Sequence, residues 1–409
     1  MKKTRALPDT NGSGKTSRPS PSTDLKTGQD ALLQNLHAFI VKSQPQMLRM
    51  LSELVHVESP SHNKAAVDRA TALVAGWCAP LHGRIKFYRQ RKFGDLLEVR
   101  FKPRRASQRK PLLLLGHLDT VWEIGTLQRM PWREEVGRIH GPGILDMKAG
   151  VIMALAAVQA LHALQALSRP IILLLHSDEE IGSTCSRALT EKTARECEAV
   201  YVLESAQGEG GAYKTARKGV GNYRLDVTGI AAHSGIDFTA GHSAVLELAH
   251  QIERISTFID LQRGITVNPG VVSGGTRSNV VAASAWAEFD VRVARAGDAA
   301  RIDRSFQTLK PRDRACKLRI SGGLNRPPME RTKEIAQLFR KARALAAALG
   351  FTLEEASTGG GSDGNFTAAL GIPTLDGMGA VGAGAHAEHE YILLEHLVPR
   401  TALLAALML

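Results

Sequence analysis

Cysteine is scarce in this chain: Cys78, Cys185, Cys197 and Cys316 are the only four in 409 residues, and no zinc or redox spacing links them. That excludes a disulfide framework and a thiolate metal site, and four free thiols are expected. Aromatic residues make up only 5% of the chain, and no lysine or arginine run exceeds a few residues, although the formal net charge is +12. No nucleic-acid motif accompanies that charge, so an acidic partner or anionic substrate is expected and nucleic acid is not. No stretch reads as a membrane span, and the amino-terminal segment lacks the apolar core of a signal peptide. No membrane association is therefore expected, and the cytoplasm is the default compartment. No internal repeat is evident.

A length of 409 residues with 44% hydrophobic content exceeds one ordinary domain and can bury a large core. Residues 1–28 carry Lys2, Lys3, Arg5, Lys15, Arg18 and Lys26 against Asp9 and Asp24, amid Ser, Thr, Pro and Gly, and read as a disordered basic tail. From 29 to 215 strand patterns alternate with helical ones, which predicts an α/β domain with a mostly parallel sheet and helices on both faces. The character changes over 216–323. There NYRLDVTGIAAHSG and AWAEFDVRVAR alternate with period two, as antiparallel strands do, and AVLELAHQIERISTFI between them has a helical apolar stripe. This predicts a small α+β unit inserted into the larger domain, which 324–409 completes.

Five metal-ligand candidates stand in chain order at or near the ends of apolar runs: His117, Asp146, Glu180, Glu204 and His386, with a second acid, Glu179, beside the third. Only a shared metal site gives so many His and carboxylate groups in buried settings a common reason to be there. In PLLLLGHLDTV (111–121) an all-apolar strand ends in His117 and Asp119. With a side-chain period of two these lean to one side, so Asp119 can accept the imidazole N–H turned away from a metal. A surface His followed by a turn Asp is the plain alternative. In GPGILDMKAG a glycine-rich loop delivers Asp146 to the start of a buried helix, where it could cap the helix or bridge two cations. In PIILLLHSDEEIGS a strand runs into Asp178, Glu179 and Glu180, acids that repel one another unless solvent or a cation stabilises them. AVYVLE delivers Glu204 in the same manner. Near the carboxyl terminus, either His386 or His389 could be a ligand on spacing alone; His389 and Glu390 could equally be first-turn residues of a terminal helix.

GHLDTV, GPGILDMKAG, SDEEIGS, the Glu after VYVL, GIAAHSG, SNVVAASAWAEFDVRV, TGGGSDG and GAHAEHEYI together resemble the M20 metallopeptidases, in particular the carboxypeptidase G2-like glutamate carboxypeptidases. The resemblance implies two zinc ions per subunit, with His117 on one and His386 on the other. Asp146 would bridge them, and Glu180 and Glu204 would each complete one. Asp119 would orient His117, and Glu179 would be the general base. It also implies that the inserted unit is a ferredoxin-like lid that forms a homodimer, with His233 reaching the partner's active site to stabilise an oxyanion. Asn279, Arg292, Thr358, Gly359, Gly360 and Gly361 match substrate-holding positions. Arg326, in LNRPPME, is the candidate cation for an acidic substrate side chain. The lysine that glutamate-specific members place before ARKGVG has no clear counterpart, with Lys214 or Lys218 as substitutes.

Two divalent ions about 3.5–4 Å apart polarise a carbonyl and acidify a bridging water. Glu179 then takes that water's proton and delivers it to the leaving nitrogen. The expected function is release of a C-terminal amino acid, glutamate in the first instance, from a short peptide or N-acyl amino acid. An N-acyl-amino-acid deacylase of the acetylornithine type, or a dipeptidase, would suit the same core, and cobalt or manganese could replace zinc. A non-catalytic dimeric binding protein is a further alternative, but its mark would be a lost ligand or base, and none is lost.

Overall fold

The apolar runs assemble into one mixed sheet. In space its strands are ordered Arg84–Tyr88, Leu96–Phe101, Ile171–His176, Leu112–His117, Ala199–Val202 and Thr374–Leu375. The last four are parallel to one another. Leu96–Phe101 runs against them and pairs antiparallel with Arg84–Tyr88. The expected parallel arrangement is thus amended at one edge, because the link 89–95 is shorter than the dozen or so residues of a parallel crossover and closes a hairpin instead. This computed structural model describes residues 21–409. The expected basic tail lies outside them for residues 1–20, and from Pro21 the chain is already in the helix Pro21–His56.

The Leu112–Leu115 run is apolar at every position because both faces of the sheet are covered. Leu112 and Leu114 face the helices Pro21–His56, Ala149–Ala163 and Leu397–Leu407, among Leu36, Ile40, Val151, Leu155 and Leu403. Leu113 and Leu115 join Ile172, Leu174, Val200 and Val202 on the other face. Each such burial contributes about 1.5–3 kcal/mol, which makes the strand ends rigid ground for polar residues. One reading from the sequence is corrected here. Ile144–Ala163 is long and apolar enough to cross a membrane, yet 89% of its apolar window is buried inside the protein, the place of a core helix.

A second sheet, antiparallel throughout, is ordered Thr266–Gly274, Ser284–Val293, Gly219–Thr228 and Lys317–Arg326. With the helices Ala244–Ser256 and Ala296–Gln307 it follows the chain order of a split β-α-β unit. Its own core includes Leu225, Phe289 and Val291, and Tyr223 stacks on Phe306 with ring centroids 4.0 Å apart. Tyr213–Arg217 still pairs with Glu355–Thr358, so the chain crosses between the layers at Lys218 and returns after Arg326, against the expected 216 and 323.

The start of the Ala149–Ala163 helix meets the sheet with almost no clearance. A Cβ on Gly150 would lie 2.0 Å from the Leu203 carbonyl oxygen, one residue before Glu204. Alanine is favoured over glycine within a helix by about 1 kcal/mol, but a clash with fixed backbone outweighs that. Gly150→Ala is therefore expected to destabilise the fold by about 1–3 kcal/mol. A raised or unchanged denaturation midpoint would contradict this packing.

Candidate metal centre

Four of the six acidic and histidine candidates are carried by the carboxyl ends of parallel strands or by the turns that follow them. His117 ends Leu112–His117, Glu179 and Glu180 form a short 3-10 turn after Ile171–His176, and Glu204 follows Ala199–Val202. Asp146 lies in the irregular turn Ile144–Lys148 that precedes the long helix, and makes no capping bond there. His386 arrives from the far end of the chain in a left-handed conformation (φ 61°), rare for a residue with a side chain.

Asp146 sits between the two histidines. His117 Nε2 is 3.2 Å from its Oδ1, and His386 Nε2 is 3.3 Å from its Oδ2. Glu204 Oε1 lies 3.5 Å from the same His117 nitrogen, and Glu180 Oε2 lies 3.2 Å from that of His386. Donor atoms of His117, Asp146 and Glu180 fall within 4.8 Å of one another, as do those of His117, Glu179 and Glu204. Neither His386 nor its alternative His389 is in these two groups, but His386 has the contacts with Asp146 and Glu180.

Burial alone would lower the His117 pKa, but contact with Asp146 and Glu204 carries it well above the ordinary histidine value. Asp146 and Glu180 raise His386 to about 11. Burial raises the Glu179 and Glu180 carboxyls, and the neighbouring acids add to it. The pocket thus favours positive charge at its centre. Glu180 Oε1 is buried with no hydrogen-bond partner among the described residues, an orphan acceptor aimed at nothing the protein supplies. Two imidazole nitrogens with hard carboxylate oxygens fit zinc, and fit cobalt or manganese as well.

Several expected contacts are replaced by others. The imidazole Nδ1 of His117 meets the Asp119 backbone carbonyl at 2.9 Å, while the Asp119 carboxylate oxygen is 3.6 Å away. That carboxylate instead accepts from Ser61 Oγ at 2.8 Å and from the backbone N–H groups of Glu179 and Glu180 at 3.2 Å, so Asp119 organises the acidic turn. Arg326 is not free either: its Nη2 donates to Glu179 Oε1 at 2.7 Å, to Ser183 Oγ at 3.0 Å and to Asp363 Oδ1 at 3.2 Å. Arg292 grips Asp290 with both Nε and Nη2 at 2.8 Å and reaches the Gly359 carbonyl at 3.3 Å. Thr358 ends a strand and accepts from the Lys218 N–H at 3.0 Å. The loops of His233 and Asn279 touch each other, the Ser234 N–H donating to the Asn279 carbonyl, and neither residue contacts the metal candidates within this chain. Lys214 is buried, and its pKa is lowered by that burial and by Arg217. The segment 386–390 is not the first turn of the terminal helix, which begins at Leu397.

Residues to which the sequence reading gave no role in the site complete it. Arg217, fully buried, forms a two-pronged pair with Asp376 at 2.8 and 2.6 Å and donates to the Gly360 and Gly361 carbonyls at 3.2 Å, fixing the glycine loop beside Glu204. His176 pairs with Asp363 at 2.5 Å. Glu390 accepts four N–H groups and is fully buried. No local pattern marks these residues.

A buried histidine and carboxylates at the carboxyl ends of parallel strands, met by the half-exposed His386, are the arrangement of a metal-dependent hydrolase. The family model for "Peptidase family M20/M25/M40" matches residues 113–409, and the chain belongs to that family of metallopeptidases. Carboxypeptidase G2 of Pseudomonas sp. (strain RS-16) is 28% identical over 373 residues, covering 89% of this chain and 88% of that protein. Acetylornithine deacetylase of Myxococcus xanthus is 29% identical over 253 residues, 58% of this chain and 64% of the relative. Among solved structures, aminopeptidase PepT of Bacillus cereus ATCC 10987 superposes with a TM-score of 0.73 at 20% identity, over 89% of this chain and 98% of that one. The metallo-carboxypeptidase Sso-CP2 of Sulfolobus solfataricus gives 0.69 at 17%, over 88% and 98%. These structures support the α/β fold.

Removing one partner of a buried ion pair leaves an uncompensated charge. Asp376→Asn is expected to cost about 3–5 kcal/mol. A chemical-denaturation midpoint equal to wild type would show that Arg217 does not depend on Asp376.

Proposed function

We propose that this protein is a metal-dependent amide hydrolase that releases a C-terminal amino acid, glutamate being the first candidate, from a short peptide or N-acyl amino acid. The observation that carries this reading is Asp146, one oxygen toward His117 and the other toward His386. In this reading His117 and Glu204 hold one ion, His386 and Glu180 hold a second, and Asp146 is shared. The ions are zinc, with cobalt or manganese compatible. Bound there, a divalent metal supplies a Lewis acid for the scissile carbonyl and lowers the pKa of water.

Glu179 is the general base. Its carboxyl lies against His117 and Glu204, takes the proton of the attacking water and passes it to the leaving nitrogen. Asp119 holds the Glu179 and Glu180 N–H groups and so fixes the acidic turn. Arg326 commits only Nη2, and its buried Nε has no partner among the described residues, which supports a role in receiving a substrate carboxylate. Arg292 and the loop from Thr358 through Gly360 and Gly361 would hold the remainder of the substrate. The likeness to carboxypeptidase G2 supports glutamate. The likeness to acetylornithine deacetylase supports a second reading, deacylation of N-acyl amino acids on the same residues.

We also propose that the split β-α-β unit is a lid that pairs with its copy in a homodimer. Its edge strand Thr266–Gly274 leaves Val271 and Val272 48% and 55% exposed, and Ile236 and Phe238 beside His233 are 77% and 66% exposed. An unpaired apolar edge of this kind favours covering by another strand. His233 and Asn279 would then complete the partner's site.

After zinc loading, wild type should release glutamate from peptidyl and N-acyl substrates. Glu179→Ala should keep its zinc and lose about 10²–10⁴ in turnover, and His117→Ala should lose zinc. Normal turnover in the first variant removes Glu179 from the mechanism, and full zinc in the second removes His117 from the ligand set. Release of acyl-linked ornithine instead of glutamate would leave the chemistry and change the substrate. His233→Ala is expected to lose about 10²–10³ in kcat. Mixing it with Glu179→Ala should restore activity, since one site of the mixed dimer then holds both groups. No recovery after subunit exchange would refute the shared site.

A further inference from the structure

The turn that carries Asp146 does not hold itself in place. Gly143 is left-handed (φ 69°), and Asp146 (φ −121°, ψ 89°) and Met147 (φ −136°, ψ 35°) depart from helical geometry. The N–H groups of Gly143, Leu145 and Asp146 therefore need an acceptor from elsewhere. All three donate to one side chain, the carboxylate of Glu390. Gly143 N lies 2.9 Å from Oε2, Leu145 N 2.8 Å and Asp146 N 3.1 Å from Oε1, and Trp122 Nε1 takes the fourth position, 3.0 Å from Oε2.

Two ionised oxygens offer about four acceptor sites, and here all four are filled, three of them by a single turn. Neither a cationic nor an amide side chain could substitute: a guanidinium or ammonium has no acceptor, and an amide would set its own NH2 against the backbone donors. The turn is also pressed from below. A Cβ on Gly143 would lie 2.6 Å from Thr120 Cγ2, and Lys148 Nζ is bonded to the Val57 carbonyl at 3.0 Å. Glu390 stands four residues after His386, whose Nε2 is 3.3 Å from Asp146 Oδ2. The short segment between them is folded back on itself, Ala387 N donating to Gly384 and Glu390 N to Ala387. One segment thus meets the Asp146 side chain through His386 and the Asp146 backbone through Glu390.

We infer that Glu390 is the positioning residue of the metal centre, its carboxylate fixing the 143–146 turn so that each oxygen of Asp146 faces a different half of the site. This rests on Asp146 being a metal ligand, as proposed above. A structural carboxylate without this role would affect melting and leave metal affinity alone.

The test is a chelator-competition titration of the metal-stripped full-length protein with zinc, run on wild type, Asp146→Ala and Glu390→Gln, with melting temperature and near-UV circular dichroism alongside. Asp146→Ala should lose tight zinc binding. Folded Glu390→Gln should bind zinc about 10- to 100-fold more weakly. Wild-type affinity in Glu390→Gln, with Asp146→Ala weakened, overturns the inference and leaves the metal reading intact. Wild-type affinity in Asp146→Ala overturns the metal reading and the inference with it. If Glu390→Gln does not fold, Glu390→Asp, which keeps the charge and withdraws the oxygens by one carbon, is read on the same scale: weakened binding supports the inference and wild-type affinity overturns it.

Discussion

Asp146, Glu179, Glu180 and Glu204 are brought out of water into one small volume, and much of the architecture around them answers that constraint. Carboxylates this close repel one another, and each has lost most of its hydration. Within the protein, the opposing groups are the imidazoles of His117 and His386 and the guanidiniums of Arg217 and Arg326. Each arginine is itself anchored to a further buried acid, Asp376 or Asp363. Those outer pairs absorb one unit of positive charge apiece, so the centre keeps a surplus of negative charge. A site balanced by its own side chains would have no use for a cation. This one is built short of positive charge, and the unpartnered Glu180 oxygen is where the shortfall is most visible.

The rigid part of the answer is the sheet. His117 and Glu204 are the first polar residues after apolar runs buried on both faces, the Glu179–Glu180 turn follows a third such run after His176, Ser177 and Asp178, and a strand whose neighbours are fixed on each side cannot swing its end. Glycines permit the last approach: Gly150 and Gly379 both lie so close to the Leu203 carbonyl that neither could carry a side chain. Asp146 and His386 lack a strand and are held by bonds instead, Asp146 through Glu390 and His386 within a tight turn. The site is therefore half set by packing and half by hydrogen bonding, and the second half is the more sensitive to polar substitution.

The same division decides what could be read from the sequence. His117, Glu180 and Glu204 stood out because an apolar run that ends in a charge is a local pattern, and Asp146 and His386 because glycine-rich loops flank them. A small layer of antiparallel strands with helices was legible too, from the change of period between the strand and helix stretches, though its split β-α-β order was not. Arg217 and Asp376 were not, since they are 159 residues apart and each looks like a surface charge in its own segment. Glu390 was obscured in another way. Its neighbours read as a helix start, whereas its partners lie some 245 residues earlier in a turn that has no regular structure. The role given to the Asp119 carboxylate failed for a related reason: period two places it on the correct side, but the nearer backbone carbonyl takes the imidazole proton and the carboxylate serves the turn opposite.

Strain follows the same map. His386 and Ser183 are among the few residues with side chains in left-handed backbone conformations, at φ 61° and 58°, and both belong to the loops that close the centre. Such positions cost about 1–3 kcal/mol each and persist only where their surroundings over-determine them. At Ser183 the surroundings are explicit: its hydroxyl bonds Asp363 and receives Arg326, which in turn holds Glu179. Strain, buried charge and an orphan acceptor all lower the stability of the metal-free chain, and a ligand that binds only the folded form restores it by RT ln(1 + [L]/Kd). The features that weaken the fold are thus the ones that favour a cation there, and the large two-faced core is what allows the chain to fold with them in place.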